Sequence, residues 1–321
     1  MLLNPIWLKN NLMGIKMQNE IINILKKEEN FSDTTIDEIR KVGINDFADI
    51  IKEVGQQETD YLKRDKILNG LNTKEIGKEI YIYKEVMSTN TVAKFLAEND
   101  VKNGSVVLSE KQSNAKGRLG KHWESPLGGI WLSIILNPQV DHSKIPMITL
   151  ATGVVVIKTL ERIGITNAEI KWPNDVLING RKICGILTEA ITKFNIIENV
   201  IIGVGIDANF EVDVLSEELQ DGTTTLDREL GHKIDENEVI RIFLEEFEKI
   251  GILFNEGGTE SILKEWRKNS YSIGKIVEVR EPFSKSYDAY VLGVSREGAL
   301  IVEKIDGTLE KVISGECIIK N

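Results

Sequence analysis

Residues 171–187 read Lys171-Trp172-Pro173-Asn174-Asp175-Val176-Leu177-Ile178-Asn179-Gly180-Arg181-Lys182-Ile183-Cys184-Gly185-Ile186-Leu187. Pro173 holds Trp172 extended, so the stretch opens as strand or turn and not as helix. Asn179-Gly180 between two strand-like runs is the strongest short-range hairpin signal. A two-residue turn there sets Ile178 opposite Arg181 and Leu177 opposite Lys182. Asp175 then lies diagonal to Lys182, roughly 7–8 Å away, so a carboxylate and an ammonium look at one site from a rigid ribbon. Such pairs are commonly plain surface ion pairs. Here the apolar run that follows brings the lysine out beside a buried surface, where a cation is a good partner for developing negative charge.

Around this hairpin, residues 81–268 alternate strand and helix patterns. YIYKEV (81–86) and SVVLSE (105–110) read as strands, and Ser88 or Thr89 is placed to cap a helix between them. IWLSIIL (130–136) and NVIIGVGI (199–206) are near-continuous apolar strands of the kind buried on both faces. Residues 144–163 form a long apolar helix, and 235–268 supply two amphipathic ones. After Ser270 the texture changes to short strands punctuated by turns such as Asp306-Gly307, as in a small β-barrel of about 50 residues. Before residue 81, helical patterns cover 17–29, 34–42 and 46–54, and 61–80 reads as a polar connector. The class is α+β with a β-rich tail, divided as 1–80, 81–268 and 269–321.

Two further segments carry chemistry. Residues 112–123 run Gln-Ser-Asn-Ala-Lys-Gly-Arg-Leu-Gly-Lys-His-Trp between two strands. Its glycines free the backbone to approach a ligand, and Lys116, Arg118 and Lys121 make an anion cradle. Arg118 can grip a phosphate or carboxylate in a fork, and Trp123 offers a flat face to a purine. A solvated basic loop with a core tryptophan would show the same spacing. A nucleotide-binding P-loop is excluded, because Ala115 and His122 stand where it requires Gly and Ser or Thr. Gly203-Val204-Gly205-Ile206-Asp207-Ala208 nearly matches the dinucleotide fingerprint, but no helix starts after it. A glycine-relieved strand end beside a ligand is one account of it; plain core packing is the other.

The bulk numbers fit an ordinary globular protein of two or three domains. A net charge of −10 over 321 residues argues against nucleic acid as the main partner, and over 21–60 ten acidic residues face five basic ones. Two distant cysteines and three scattered histidines make neither a disulfide framework nor a metal cluster, which fits a reducing cytoplasm. No run reaches the roughly 18 apolar residues of a membrane span. The first sixteen residues read poorly as a signal peptide and are expected to be a leader or a misplaced start.

Taken together, Ser88-Thr89-Asn90, the 115–123 loop, Lys171–Asp175 and Lys182–Glu189 resemble, in order and spacing, the motifs of the biotin–protein ligase family over roughly residues 81–321. The resemblance implies a class II synthetase-like mixed sheet with flanking helices, an SH3-like β-barrel at the C-terminus and a small helical N-terminal region. It implies biotin contacts from Ser88, Thr89, Asn90, Gln112, Lys116, Gly117, Arg118, Lys182 and Gly185. Arg118, Lys121, Trp123, Asn174, Asp175 and Lys182 would surround the nucleotide, with magnesium near Asp175 and no protein metal cluster. Lys182 and Arg118 are the catalytic candidates. The implied reaction joins biotin to AMP at the expense of ATP, then passes biotin to a lysine on the biotin carboxyl carrier protein or domain of a carboxylase. A homodimer is implied; the charge balance weighs against DNA as a partner, the apolar runs against a membrane, and the cysteines point to the cytoplasm.

Three features depart from the family pattern: Ala115 replaces glycine, Lys116 and Lys121 replace arginines that would grip bidentately, and Asp207 replaces a common asparagine. Two other readings remain. A lipoate–protein ligase resembles the family in fold and reaction, but is expected to lack the Gly117-Arg118-x-Gly120-x-x-Trp123 spacing and the terminal barrel. A DNA-binding repressor would use an N-terminal winged helix, but 21–60 is acidic and shows no glycine-flanked wing.

Overall fold

The computed structural model describes residues 49, 51–57, 59–99, 101–138, 141–194, 196–282 and 284–320. The helices expected over 17–29 and 34–42 lie outside them; the one expected over 46–54 is helical at 49 and 51–54. The supposed connector at 61–80 is tied down. It contains a short helix, α1 (Arg64–Leu68), and Leu62, Ile67 and Ile76 are buried in the main core. Isolated apolar residues in polar text give no periodic signal, which is why the segment reads as loose.

Eight strands build the central sheet: β1 (Ile80–Val86), β2 (Val106–Lys116), β3 (His122–Ser125), β4 (Ile130–Leu136), β5 (Ala168–Lys171), β6 (Asp175–Ile178), β7 (Arg181–Lys193) and β8 (Ile196–Ile206). Their order is β1-β2-β4-β8-β7-β6-β5, with β3 paired to β2. β1 and β2 run parallel and the other ladders antiparallel, so the sheet is mixed. Helix α2 (Thr89–Ala97) covers one face, burying Phe95 and Leu96 against Tyr81, Val107 and Ile201. The other face carries α3 (Ile145–Arg162), α6 (Glu236–Asn255) and α7 (Thr259–Lys268), beyond the short α4 (Glu217–Gln220) and α5 (Leu226–Leu230). α3 is long and apolar enough to span a bilayer by length and composition, yet about two thirds of that stretch is packed inside the protein. It is a core helix.

The Asn-Gly hairpin forms as expected. Asn179 and Gly180 have φ of 52° and 78°, and Ile178 pairs with Arg181, Leu177 with Lys182. One feature was illegible: a β-bulge at Ile183, which moves the next pairs to Val176–Cys184 and Asp175–Gly185. A bulge re-aims side chains. Ile183 and Cys184 both turn to the core, and Lys182 turns to the opposite face with Gly185.

The C-terminal segment forms a second, antiparallel sheet from β9 (Ile276–Arg280), β10 (Tyr287–Val294), β11 (Leu300–Lys304), β12 (Leu309–Val312) and β13 (Glu316–Ile319), in the order β12-β11-β10-β9-β13. Its apolar face, with Val277, Val291 and Leu300, belongs to the same hydrophobic cluster as the central sheet. Trp172 Nε1 donates to Gly298 O at 3.1 Å across the joint, so the second sheet is packed onto the Lys171–Asp175 turn.

Phe243 of α6 is fully buried in this shared core. Phe243→Ala is expected to cost about 3–5 kcal/mol of unfolding free energy, read from urea denaturation; a loss under about 1 kcal/mol would show that α6 does not close the core.

Candidate active site

The site is a pocket on the face of the sheet that carries α2, walled by the 112–123 loop, the Lys171–Asp175 turn and β13. Its floor lacks side chains. Gly185 on β7 pairs with Gly205 on β8, and Leu187 pairs with Gly203. A Cβ on Gly205 would lie 2.8 Å from Trp123 Nε1, and one on Gly185 would lie 2.8 Å from the Trp123 ring. A Cβ on Gly203 would lie 2.3 Å from Asn90 Oδ1. The glycines therefore bare a strand surface on which Trp123 and Asn90 pack, within the lining of the cavity.

At one end the pocket is polar but uncharged. Thr89 donates its backbone N–H to Gln112 Oε1 at 2.7 Å, and its Oγ1 lies 3.2 Å from the same oxygen. Gln112 Nε2 in turn donates to Ser125 Oγ at 2.9 Å. Ser88 occupies the N-cap position of α2 without a side-chain capping bond; the glutamine from β2 takes that role for Thr89. Ser133 Oγ contacts Thr89 Oγ1 at 2.8 Å and Asn90 Oδ1 at 2.6 Å. Asn90 Nδ2 donates to Glu189 Oε2 at 2.8 Å, and Glu189 is ion-paired to Lys94 at 2.6 Å. Such a network fixes donor and acceptor directions before a ligand arrives.

At the other end lies Trp123, edge-on to Trp131 with ring centres 6.3 Å apart. Its Nε1 is buried and has no hydrogen-bond partner among the described residues. Lys182 stands between the two ends. Its Nζ is 2.7 Å from Asp175 Oδ1 and 4.8 Å from the Trp123 ring centre. The two residues sit diagonally across the hairpin as the turn register sets them, and their side chains close that gap to a direct contact.

Arg118 donates to Asn174 Oδ1 at 3.3 Å and to Gly315 O at 3.1 Å. Burial pulls its guanidinium below the usual value, while the charges of Asp175 and Glu316 oppose that shift. Asn174 is itself held by Ile186, to which it donates from Nδ2 at 3.0 Å. Lys121 is paired with Glu316, whose carboxyl it holds below the ordinary carboxylate range. The loop turns at Leu119 and Gly120, with φ of 56° and 76°, and Gly117 N–H closes it on Lys121 O at 2.7 Å. Lys116, Gly117 and Ala115 line the same pocket.

Every residue singled out for biotin or nucleotide from the sequence thus lines one cavity of about 320 Å³. Ser133, Ser125, Gly315 and Glu316 were missed, and Glu189 stood in its motif without an assigned role. A serine inside the apolar run 130–136 was a legible signal of a buried polar role; the reach of β13 into the pocket depends on the docking of the second sheet and had none. Among the described residues no group of three or more His, Cys, Asp and Glu is arranged to hold a metal. Of the carboxylates that line the cavity, Asp175 and Glu316 are engaged by Lys182 and Lys121, Glu124 accepts from the Ser216 N–H, and Asp207 is buried. A magnesium would be held mainly by the phosphates it accompanies, with one carboxylate at most, as is usual for that ion.

The model of the Biotin/lipoate A/B protein ligase family matches residues 83–207. The bifunctional ligase/repressor BirA of Bacillus spizizenii is 34% identical over 288 residues, covering 88% of this chain and 86% of the relative. The biotin–[acetyl-CoA-carboxylase] ligase of Paracoccus denitrificans is 26% identical over 223 residues, 67% of this chain and 90% of the relative. Among solved structures, the biotin protein ligase of Aquifex aeolicus in complex with biotin and ATP superposes with a TM-score of 0.67 at 27% identity, covering 76% of this chain and 99% of that one. A relative this similar over most of both chains, with the glycine floor and the loop in the order the motifs demand, leaves one conclusion: the chain belongs to the biotin–protein ligase family.

Proposed function

We propose that the glycine-floored cavity is where biotin is adenylated, with Lys182 at the reacting centre. The activity is that of an ATP-dependent biotin–protein ligase. Biotin's carboxylate attacks the α-phosphate of ATP, a new C–O–P linkage forms, the bond to the β-phosphate breaks and pyrophosphate leaves. The ε-amine of an acceptor lysine then attacks the acyl carbon, forming an amide and releasing AMP. The observation that carries this reading is the division of one pocket into a neutral hydrogen-bonding end and a cationic, aromatic end, joined at Lys182.

In this reading the heterocycle of biotin lies over Gly203, with Ser88, Thr89, Asn90 and Gln112 supplying donors and acceptors and Lys116 and Gly117 above it. Gly185 leaves room for the chain that leads to the carboxylate. Adenine lies by Trp123, with Asn174, Asp175 and Lys121 around the ribose and phosphates. Lys182 and Arg118 stabilise the negative charge that builds on the transferred phosphate. Lysines at 116 and 121 keep that charge without a guanidinium's fork. Magnesium, brought with ATP, supplies further neutralisation of the phosphates. The 112–123 loop, tethered through Arg118 and Lys121 to β13, keeps water from the mixed anhydride.

The acceptor is a lysine on a carboxylase carrier domain, in line with the names of the relatives. Residues 81–268 would form the catalytic unit, 269–321 the terminal module and 1–80 the N-terminal region. A homodimer is the assembly we read from the resemblance. A cytoplasmic location is supported by Cys184 and Cys317, both free and buried, with the Cys317 thiol pushed up to about 12 by burial. The repressor half of the Bacillus relative's name favours a second reading, DNA binding by the N-terminal region. The acidic balance of 21–60 weighs against it, and a mobility-shift assay at low ionic strength decides.

With biotin, ATP and magnesium the protein should release pyrophosphate, and with lipoate it should not. Lys182→Ala should lower the rate by about 100- to 1,000-fold; equal rates for mutant and parent would remove Lys182 from the chemistry, and turnover on lipoate alone would change the substrate. Gly205→Val should raise the KM for ATP by about tenfold or more through displacement of Trp123, with the KM for biotin little changed. An unaltered ATP dependence would show that the floor at 205 is not part of the nucleotide site.

A further inference from the structure

A chain of hydrogen bonds runs from Lys94 on α2 to Thr89 in the cavity, and its direction follows from its fixed end. Glu189 on β7 is ion-paired with Lys94 through Oε1 at 2.6 Å, so its other oxygen accepts and cannot donate. Asn90 meets that oxygen at 2.8 Å and must present Nδ2 to it, with Leu187 O a second acceptor on the same side at 3.5 Å. Its Oδ1 then faces Ser133 Oγ at 2.6 Å. An amide oxygen only accepts, so the Ser133 proton goes to Asn90. The remaining contact, Ser133 Oγ to Thr89 Oγ1 at 2.8 Å, is a hydrogen bond only if Thr89 donates it. Ser133, Thr89 and Asn90 are all buried, where such pairing is the rule. Thr89 has thus used its proton inside the protein, and its oxygen, in the lining of the cavity, is left as an acceptor.

Asn90 cannot set this direction by itself. A half-turn of its amide exchanges oxygen and nitrogen without changing its shape, and the bare strand at Gly203 receives either end. Beside Thr89, Gln112 Oε1 takes the Thr89 backbone N–H at 2.7 Å, and Nε2 gives one hydrogen to Ser125 Oγ at 2.9 Å and keeps the other. The two residues therefore offer an acceptor and a donor side by side. A cyclic urea carries the complement, a ring N–H next to a carbonyl oxygen.

We propose that Glu189, which does not itself line the cavity, is the positioning residue that makes Thr89 an acceptor and so selects a ring N–H in the substrate. This deepens the biotin reading of the neutral end and rests on it. A carboxylate has no second orientation to offer Asn90, but a carboxamide has. In Glu189→Gln, Lys94 would hold the new amide by its oxygen, because an ammonium only donates. The amide nitrogen would then face Asn90, Asn90 would turn over, and Ser133 would donate to Thr89. Thr89 would keep its own proton and meet the ring N–H as donor against donor. With Lys94→Met added, nothing holds that oxygen, and it is free to accept from Asn90 and restore the original direction.

The test compares the full-length protein with its Glu189→Gln, Lys94→Met and doubly substituted variants. Affinities are measured by calorimetry for biotin and for the two cyclic carbamates in which one ring N–H of the urea is replaced by oxygen. Pyrophosphate release gives kcat and KM beside them. We expect the parent to bind one of the two carbamates about tenfold or more weakly than biotin, because two acceptors then face each other. Glu189→Gln should bind biotin about tenfold or more weakly than the parent and lose most of that discrimination. Its kcat at saturating biotin and its KM for ATP should be little changed. Lys94→Met alone should have little effect, and in the double variant both biotin affinity and discrimination should return. A double variant as weak as Glu189→Gln would overturn the proposal, as would a parallel loss of ATP affinity, which marks damage to the fold. A parent that turns over lipoate and does not bind biotin would instead remove the biotin reading on which the proposal rests.

Discussion

The site depends on an absence: the side chains missing from Gly185, Gly203 and Gly205 where β7 and β8 lie side by side. A mixed sheet whose strands are apolar on both faces would normally be sealed. Here the face under α2 opens for three residues, and Trp123 and Asn90 settle directly on the backbone. The sheet gains no stability from those glycines, since glycine weakens a strand. Their position is explained by what must come close to it. The same stripping leaves Lys182 as the cation above the floor, turned to that face by the single-residue bulge at Ile183.

The second constraint is the docking of the C-terminal sheet. Gly315 and Glu316 receive Arg118 and Lys121, so the loop over the cavity is held by a strand almost two hundred residues away. The terminal sheet shares its core with the central one and is anchored by Trp172 beside the Asn174-Asp175 corner. A change in that docking would be felt at the 112–123 loop with no change in the loop's own sequence.

Much of this was legible from the chain. The apolar runs 130–136 and 199–206, the Asn179-Gly180 turn, the apolar helix over 144–163 and the short strands after 270 all stand where their patterns place them, because hydrophobic period and turn chemistry are local properties. The site residues were legible through spacing and family resemblance, and they do line one cavity. Other features were not. The bulge at Ile183 leaves no mark in an apolar run, so the pairing of Asp175 with Gly185 was not foreseen. The buried roles of Leu62, Ile67 and Ile76 depend on α6 and α3 arriving from afar. Asp207 was visible as a departure from pattern, but its burial belongs to the folded state alone.

The most direct test of the account is a crystal structure of the protein with a non-hydrolysable analogue of biotinyl-adenylate. The account places the biotin ring over Gly203 between Asn90 and Gln112, the adenine over Gly205 against Trp123, and the acyl phosphate within reach of Lys182 Nζ. An analogue bound away from the glycine row, with Trp123 still seated on Gly205, would contradict it.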